Sequence, residues 1–146
     1  MPEGECMGDW EKKAAIQEVL NRYSGAAGRL NIEEFMACFT EDAEVHGIPE
    51  MLGLPGPFKG HEGIRGYFGP AFEALEWLQQ QNTTTDIWIG ADGKTARTSS
   101  SLVEMAKREG APQIVLIARY DDELALTDEG WKFTRRTLVP YRFEQV

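Results

Sequence analysis

Residues 39–68 read Phe39-Thr40-Glu41-Asp42-Ala43-Glu44-Val45-His46-Gly47, an irregular run to Pro55, then Gly56-Pro57-Phe58-Lys59-Gly60-His61-Glu62-Gly63-Ile64-Arg65-Gly66-Tyr67-Phe68. A helix is expected to end at Phe39, ahead of a short extended segment, Ala43 to His46, that is bounded by Gly47. Ile48 to Pro57 carries Gly53, Gly56, Pro49, Pro55 and Pro57, a density of breakers that excludes regular structure. A new helix begins near His61, with Ile64, Tyr67 and Phe68 on one stripe. Two helices and a strand therefore meet at a loop. Met51, Leu52 and Leu54 make that loop too apolar for a purely solvated one; they fit a flap over an apolar opening or packing beneath the loop.

Upstream, Asp9 is placed to cap a helix running to about Arg29, with Ala15, Ile16, Val19, Leu20, Tyr23, Ala26 and Ala27 recurring at three- and four-residue steps. Residues 1–8 are expected to form a flexible N-terminus ahead of one domain, 9–146. Asn31-Ile32-Glu33-Glu34 spells a capping box for a short second helix whose apolar face is Phe35, Met36, Cys38 and Phe39. Downstream, Gly69-Pro70 is expected to kink or break the third helix, which resumes through Phe72, Leu75, Trp77 and Leu78.

From Thr83 the hydrophobic period changes to two. Thr83–Ile89 and Thr95–Lys107 flank the hairpin signal Asp92-Gly93, and Gln113–Leu126 and Trp131–Arg142 complete a meander. Helices first and antiparallel strands afterwards indicate an α+β fold, with three N-terminal helices packed on a strongly curved mixed or antiparallel sheet. Such a sheet wrapped around helices leaves a conical, blind pocket.

The chain has 146 residues, enough for one domain with a sizeable core. Its net charge of −9 disfavours a phosphate-tracking surface and an anionic membrane. No apolar run approaches the roughly 20 residues a bilayer requires. These features point to a cytoplasmic protein whose partners are neutral small molecules or further copies of the chain. Two cysteines and two histidines at unrelated spacings make neither a disulfide framework nor a zinc site.

The spelling Phe39-Thr40-x-Asp42-Ala43, then Gly60-x-Glu62-x-Ile64, resembles the SnoaL-like branch of the nuclear transport factor 2-like superfamily. Further pieces follow in register: Ala15-Ile16-Gln17, Arg22-Tyr23, Ala91-Asp92-Gly93-Lys94-Thr95-Ala96, Ala118-Arg119-Tyr120-Asp121-Asp122 and Gly130-Trp131-Lys132-Phe133. The resemblance, spanning about Ala14 to Arg142, implies the conical fold, a small-molecule pocket and often a homodimer or homotrimer. It also implies a set of reactions that move a proton without metal or organic cofactor: dehydration, dehydrochlorination, isomerisation, cyclisation, epoxide hydrolysis and formaldehyde-releasing cleavage. Some relatives only bind.

In the dehydratase-like branch an aspartate on the first helix orients a histidine base on the first long strand. Those positions fall here on Gly28 and Asn82, neither of which can do the work. Either the chain only binds, or the base has moved. Alternation places Asn82, Thr84 and Asp86 on one strand face, so Asp86 is one candidate base, or an aspartate holding a neighbouring element. His46, where strand meets flap, is the other, because imidazole titrates near neutrality, although a surface histidine reads the same way. Tyr23 joins these as a catalytic candidate or as a core tyrosine.

Tyr67, Phe68, Tyr120, Phe39 and Leu54 are expected to contact substrate together with Asn82 and Thr84. Glu104 is either a buried, useful carboxylate or ordinary surface charge. Arg119 or Arg97 would suit an oxyanion, with their faces undecided. His61 reads as serving a helix end, while Glu33, Glu34, Lys12, Lys13, Lys107, Arg108 and Asp128 read as solvated. Trp88 and Trp131 suggest a sheet face covered by another subunit.

The function expected from these residues is a cofactor-independent acid–base lyase or isomerase acting on a small apolar, aromatic or polycyclic molecule. A non-catalytic binding or assembly domain of the same fold is the alternative.

Overall fold

A computed structural model describes the backbone of residues 3–146 and the side chains of residues 8–146. Four helices precede and interrupt the sheet: α1 (Glu3–Gly28), α2 (Ile32–Met36), α3 (Ile48–Met51) and α4 (Gly60–Ala74). Six strands, β1 (Phe39–His46), β2 (Phe58–Lys59), β3 (Leu75–Ile89), β4 (Thr95–Arg108), β5 (Ile114–Thr127) and β6 (Gly130–Gln145), form one sheet ordered β2-β1-β6-β5-β4-β3. Only the β1–β6 pair is parallel. The sheet curls around α1 and α4 without closing, giving the α+β cone expected from the sequence.

Several local expectations need correction. Asp9 lies inside α1, which begins at Glu3, so it is not the cap; Cys6 and the first two residues lie outside the described side chains. Asn31 does cap α2, accepting from the Glu34 amide at 3.1 Å, but the Glu34 carboxylate pairs with Arg29 and completes no box. Phe39 belongs to β1, because its backbone pairs beside Phe133.

The breaker-rich loop contains a helical turn after all. Pro49 sits in its first turn, where its missing N–H is no loss, and the Gly47 amide donates to Glu50 at 2.7 Å. Gly47 itself has φ +86°, and a β-carbon there would stand 1.9 Å from the Leu138 carbonyl oxygen, so only glycine fits against β6.

Helix α4 passes through Pro70 without breaking. Ile64, Phe68 and Phe72 stay buried on one face across it, and that continuous apolar contact outweighs the lost helical bond. Beyond Ala74 the residues expected to extend the helix join β3 instead. Leu75 to Gln81 pair with Val103 to Arg108, a long-range ladder that overrides the weak strand preference of Glu76 and the glutamines. The Asp92-Gly93 hairpin forms as expected, with Asp92 Oδ1 accepting from the amides of Lys94 and Thr95.

The core is aromatic. Tyr23 and Phe39 each pack on Phe35, on Phe133 and on one another with ring centroids 4.7–6.0 Å apart, and Phe68 and Phe72 extend the cluster from Phe35. Trp131 is buried in this core, so it is no part of an outward-facing patch, whereas Trp88 is 48% exposed. At the centre lies one ion pair: Arg136 Nε stands 3.0 Å from Asp122 Oδ1, with both side chains sealed from solvent.

That contact is not aligned as a hydrogen bond, and Arg136 Nη1 finds no protein acceptor among the described residues. The guanidinium is held in addition by the faces of Tyr120 (3.6 Å), Tyr23 (4.1 Å) and Phe133 (4.6 Å). Burial pushes the Asp122 carboxyl up to about 6, against the lowering influence of Arg136 and of the Thr98 hydroxyl bonded at 3.2 Å.

Removing one partner strands the other as a buried charge. Asp122→Ala is therefore expected to cost about 3–5 kcal/mol, while the double variant Asp122→Ala/Arg136→Leu recovers a large part of it. Urea denaturation measures both, and an unchanged midpoint for Asp122→Ala would show that the pair carries no stability.

Candidate functional site

A cavity of about 370 Å³ opens between α1, α3, α4 and the inner face of the sheet. Its walls are mostly apolar, from Ala27, Phe35, Phe68, Phe72, Leu78 and Leu116 among others. Its polar groups are few: Tyr23, Tyr67, Tyr120, Gln80, Glu104, Arg108 and Gln145. This is the composition of a small-molecule pocket, in which apolar area supplies affinity and a handful of polar atoms fix orientation.

Among the described residues Glu104 is the one carboxylate in the wall. It reaches the inner face of β4 by alternation between buried Leu102 and buried Ala106. Gln80 Nε2 donates to its Oε1 at 2.6 Å, and the Gln80–Glu104 pair is a direct cross-strand register. Glu104 Oε2 takes no bond from the described residues and is not sealed, so it is free for a ligand. Desolvation by the apolar walls raises the carboxyl above the ordinary glutamate range, and the Gln80 bond opposes that rise.

Gln80 is itself oriented. Its Oε1 accepts from Asn82 Nδ2 at 3.3 Å, and the same amide donates a short bond to Ser24 Oγ on α1. The amide of Gln80 thus cannot turn its oxygen toward Glu104 without losing the Asn82 bond. Two phenols complete the deep end. The hydroxyls of Tyr23 and Tyr120 lie 3.5 Å apart, and burial pushes Tyr23 up to about 12 and Tyr120 well above the ordinary phenol value, so both are neutral donors. Tyr67 stacks on Phe58 with ring centroids 4.6 Å apart and is raised by burial and by the Glu104 charge.

Of the residues expected at the site, Tyr23, Tyr67, Phe68, Tyr120 and Glu104 line the cavity. The others do not. Asp86 is exposed on the outer side because Thr85 is an extra residue in the ladder: Thr84 pairs with Ser100 and Asp86 with Ser99. This bulge puts two successive residues outward and returns Ile87 to the inner face. Asn82 and Thr84 do face inward, but α1 covers them, and Thr84 Oγ1 is buried without a partner.

His46 points away from buried Val45, to the other face of β1, where its Nε2 meets Glu44 at 2.8 Å. Phe39 is wholly buried behind Tyr23 and Phe35. Leu54 follows Gly53 (φ +73°) out of the flap and is 41% exposed, while Met51 and Leu52 remain on the cavity wall without filling it. Arg119 and Arg97 belong to the outer face: one pairs with Asp121 at 3.0 Å, the other lies over Trp88. His61 reaches the Phe39 carbonyl at 2.9 Å and so ties α4 to β1.

Gln80 was not singled out by sequence reading, and Arg108, read there as a solvated charge, is exposed but also stands in the cavity wall. Alternation offered the signal for each: Gln80 lies two residues before Asn82 on the same face, and Arg108 four after Glu104. Among the described residues no three His, Cys, Asp or Glu side chains gather as metal ligands, and no helix is long and apolar enough to cross a membrane.

If the cavity admits ligands, the neutral apolar dye prodan should bind it, and Ala71→Trp, which places an indole in the wall, should weaken binding by about tenfold or more, roughly 1.4 kcal/mol. Asp86→Asn should leave dye affinity unchanged. Fluorescence titration reads both, and equal affinity in wild type and Ala71→Trp would place the dye elsewhere.

Residues 9–137 match the family of SnoaL-like domains. No curated protein matches the chain. Among solved structures, a protein of Novosphingobium aromaticivorans provisionally named an aromatic ring hydroxylase is 27% identical, with 93% of this chain and 94% of that one covered and a TM-score of 0.79. A second protein of that organism, provisionally named a scytalone dehydratase, is 20% identical over 97% and 91% of the two chains, with a TM-score of 0.85. The type 3 hexachlorocyclohexane dehydrochlorinase of Novosphingobium barchaimii is 17% identical over 96% and 93%, with a TM-score of 0.79. The cone, its aromatic floor and the match over most of the chain agree, and the protein belongs to the SnoaL-like family.

Proposed function

We propose that the protein is a cofactor-independent acid–base enzyme, a lyase or isomerase, acting on a small, mostly apolar, ring-bearing molecule, with Glu104 as its general base. The observation that carries this reading is a single desolvated carboxylate in an apolar cavity, with one oxygen held by Gln80 and the other free. The structural neighbours named for dehydration and dehydrochlorination support the class, since each such reaction removes a proton and expels a leaving group.

Geometry suggests how the step runs. Glu104 Oε2 accepts a proton from a carbon or hydroxyl of the substrate. The electron pair left behind moves toward a carbonyl oxygen or expels a leaving group. The neutral phenols of Tyr23 and Tyr120 donate to the oxygen on which charge develops, the role of an oxyanion hole. Gln80 keeps Glu104 ionised and aimed, and Asn82 with Ser24 keeps Gln80 aimed. Asn82 thus supports the base from behind.

The alternative of a binding protein is favoured by one observation, the loss of an aspartate–histidine pair at Gly28 and Asn82. Copies of the chain would associate as a homodimer or homotrimer through the outer sheet face, where Trp88, Val103, Ile117 and Tyr141 are exposed.

The test incubates chelator-treated protein with lignin-derived diols, phenolic ketones and hydroxylated polyketides, with mass spectrometry for loss of water or formaldehyde and for isomer shifts. Glu104→Gln should lower turnover about 10²–10⁴-fold, while Asp86→Asn and His46→Ala leave it intact. Full activity in Glu104→Gln would refute the assignment, and binding without turnover across the panel would favour the binding protein.

The pH profile adds a sign. A base works ionised, so the rate should rise with pH through an inflection above the ordinary glutamate range. Gln80→Leu, which removes the bond that lowers the Glu104 pKa, should move that inflection higher.

A further inference from the structure

We infer that Arg108 is an anion anchor at the mouth of the cavity, and that the ligand is an elongated carboxylic acid whose apolar, ring-bearing body runs inward from Arg108 toward Glu104. This names a substrate class for the pocket and rests on the reading of that pocket as a ligand site.

Five arginines have carboxylate partners: Arg29 with Glu34, Arg65 with Glu33, Arg119 with Asp121, Arg136 with Asp122 and Arg142 with Glu144. Arg97 is occupied by the Trp88 ring, while Arg22 and Arg135, also without an ion pair among the described residues, lie outside the cavity. Arg108 has no ion pair and no side-chain hydrogen bond among the described residues, although the chain carries 24 acidic side chains. It is also the one cation in the cavity wall, beside Ile114, Phe143 and Gln145 where β4, β5 and β6 end.

Those neighbours make the mouth apolar on one side and open on the other. A guanidinium in that position offers a planar fork of donors to an incoming carboxylate and no competing acceptor of its own. Charge sets the direction: in a protein of net −9, an unpaired cation is where an anion meets least repulsion.

The spacing sets the ligand's length. Glu104 and Arg108 lie on the same strand face four residues apart, which at roughly 3.3 Å per residue is about 13 Å. Leu75, Leu78 and Leu116 line the cavity with them, so the stretch between the two charges is walled by hydrocarbon. Tyr67 senses both charges, Glu104 raising its phenol and Arg108 lowering it, as a side chain facing the shared space would. One end of the ligand is therefore held by charge, its middle by apolar contact, and its far end is presented to Glu104 Oε2. A second carboxylate at the deep end would be repelled by Glu104, so the class is a monocarboxylate.

The probes are biphenyl-4-carboxylate and its methyl ester, titrated calorimetrically into the whole protein. The acid should bind about tenfold or more tighter than the ester, as a partly exposed charge-assisted contact allows. Arg108→Gln, an exposed substitution, should erase that preference while leaving ester affinity unchanged, and added salt should shrink the preference in wild type. Glu104→Gln should retain it.

Equal binding of acid and ester, a preference that persists in Arg108→Gln, or binding of neither probe would overturn the inference. Preference for the acid together with full turnover in Glu104→Gln would sink the catalytic assignment alone. Turnover that depends on Glu104 without any preference for the acid would sink the anchor alone.

Discussion

The buried Arg136–Asp122 pair is the constraint on which the rest depends. A guanidinium sealed in an aromatic core is tolerable only if its charge is compensated from several directions. Here Asp122 supplies one and the faces of Tyr23, Tyr120 and Phe133 supply the others. Those rings come from α1, β5 and β6, so one side chain fixes the relative positions of three elements. The cation also sets the orientation of the two phenols whose hydroxyls floor the cavity. Stability and site geometry are thus coupled at one residue.

From that floor the cavity has a clear electrostatic order. Neutral phenols sit deepest, a desolvated carboxylate stands on the wall beside them, and the exposed Arg108 guanidinium, without an ion pair among the described residues, lies farther along the same wall. Low dielectric between them makes each charge count for more than it would in water. The Ser24–Asn82–Gln80 chain behind Glu104 shows how a fold can hold a carboxylate in one orientation without a histidine. An amide neither gains nor loses protons near neutrality, so it can set the orientation and ionisation of a neighbour without titrating itself.

Much of the architecture was legible from periodicity. The switch from a 3.6-residue to a 2-residue period, the Asp92-Gly93 turn and the apolar stripe of α4 led to the α+β cone. Five of the expected site residues, Tyr23, Tyr67, Phe68, Tyr120 and Glu104, also meet in the cavity. Asp86 failed for a definable reason: strict alternation has no memory of a bulge, and one extra residue at Thr85 reverses every face beyond it. Phe39 failed because a residue can be apolar and inward without reaching the cavity. Of the kink or break expected at Pro70, the break does not form, because local propensity yielded to a buried face running through Ile64, Phe68 and Phe72.

The α+β class, family membership and the absence of an aspartate–histidine pair at Gly28 and Asn82 were determined by the sequence by itself, since each depends on residue identities and their order along the chain. Tertiary structure decided which charges are paired, which carboxylate is desolvated and which cation stands free. Those properties depend on distances between strands and helices far apart in sequence, as with Gln80 and Glu104 or Asp122 and Arg136. A ladder register shifted by one residue would change them all without altering a single local preference.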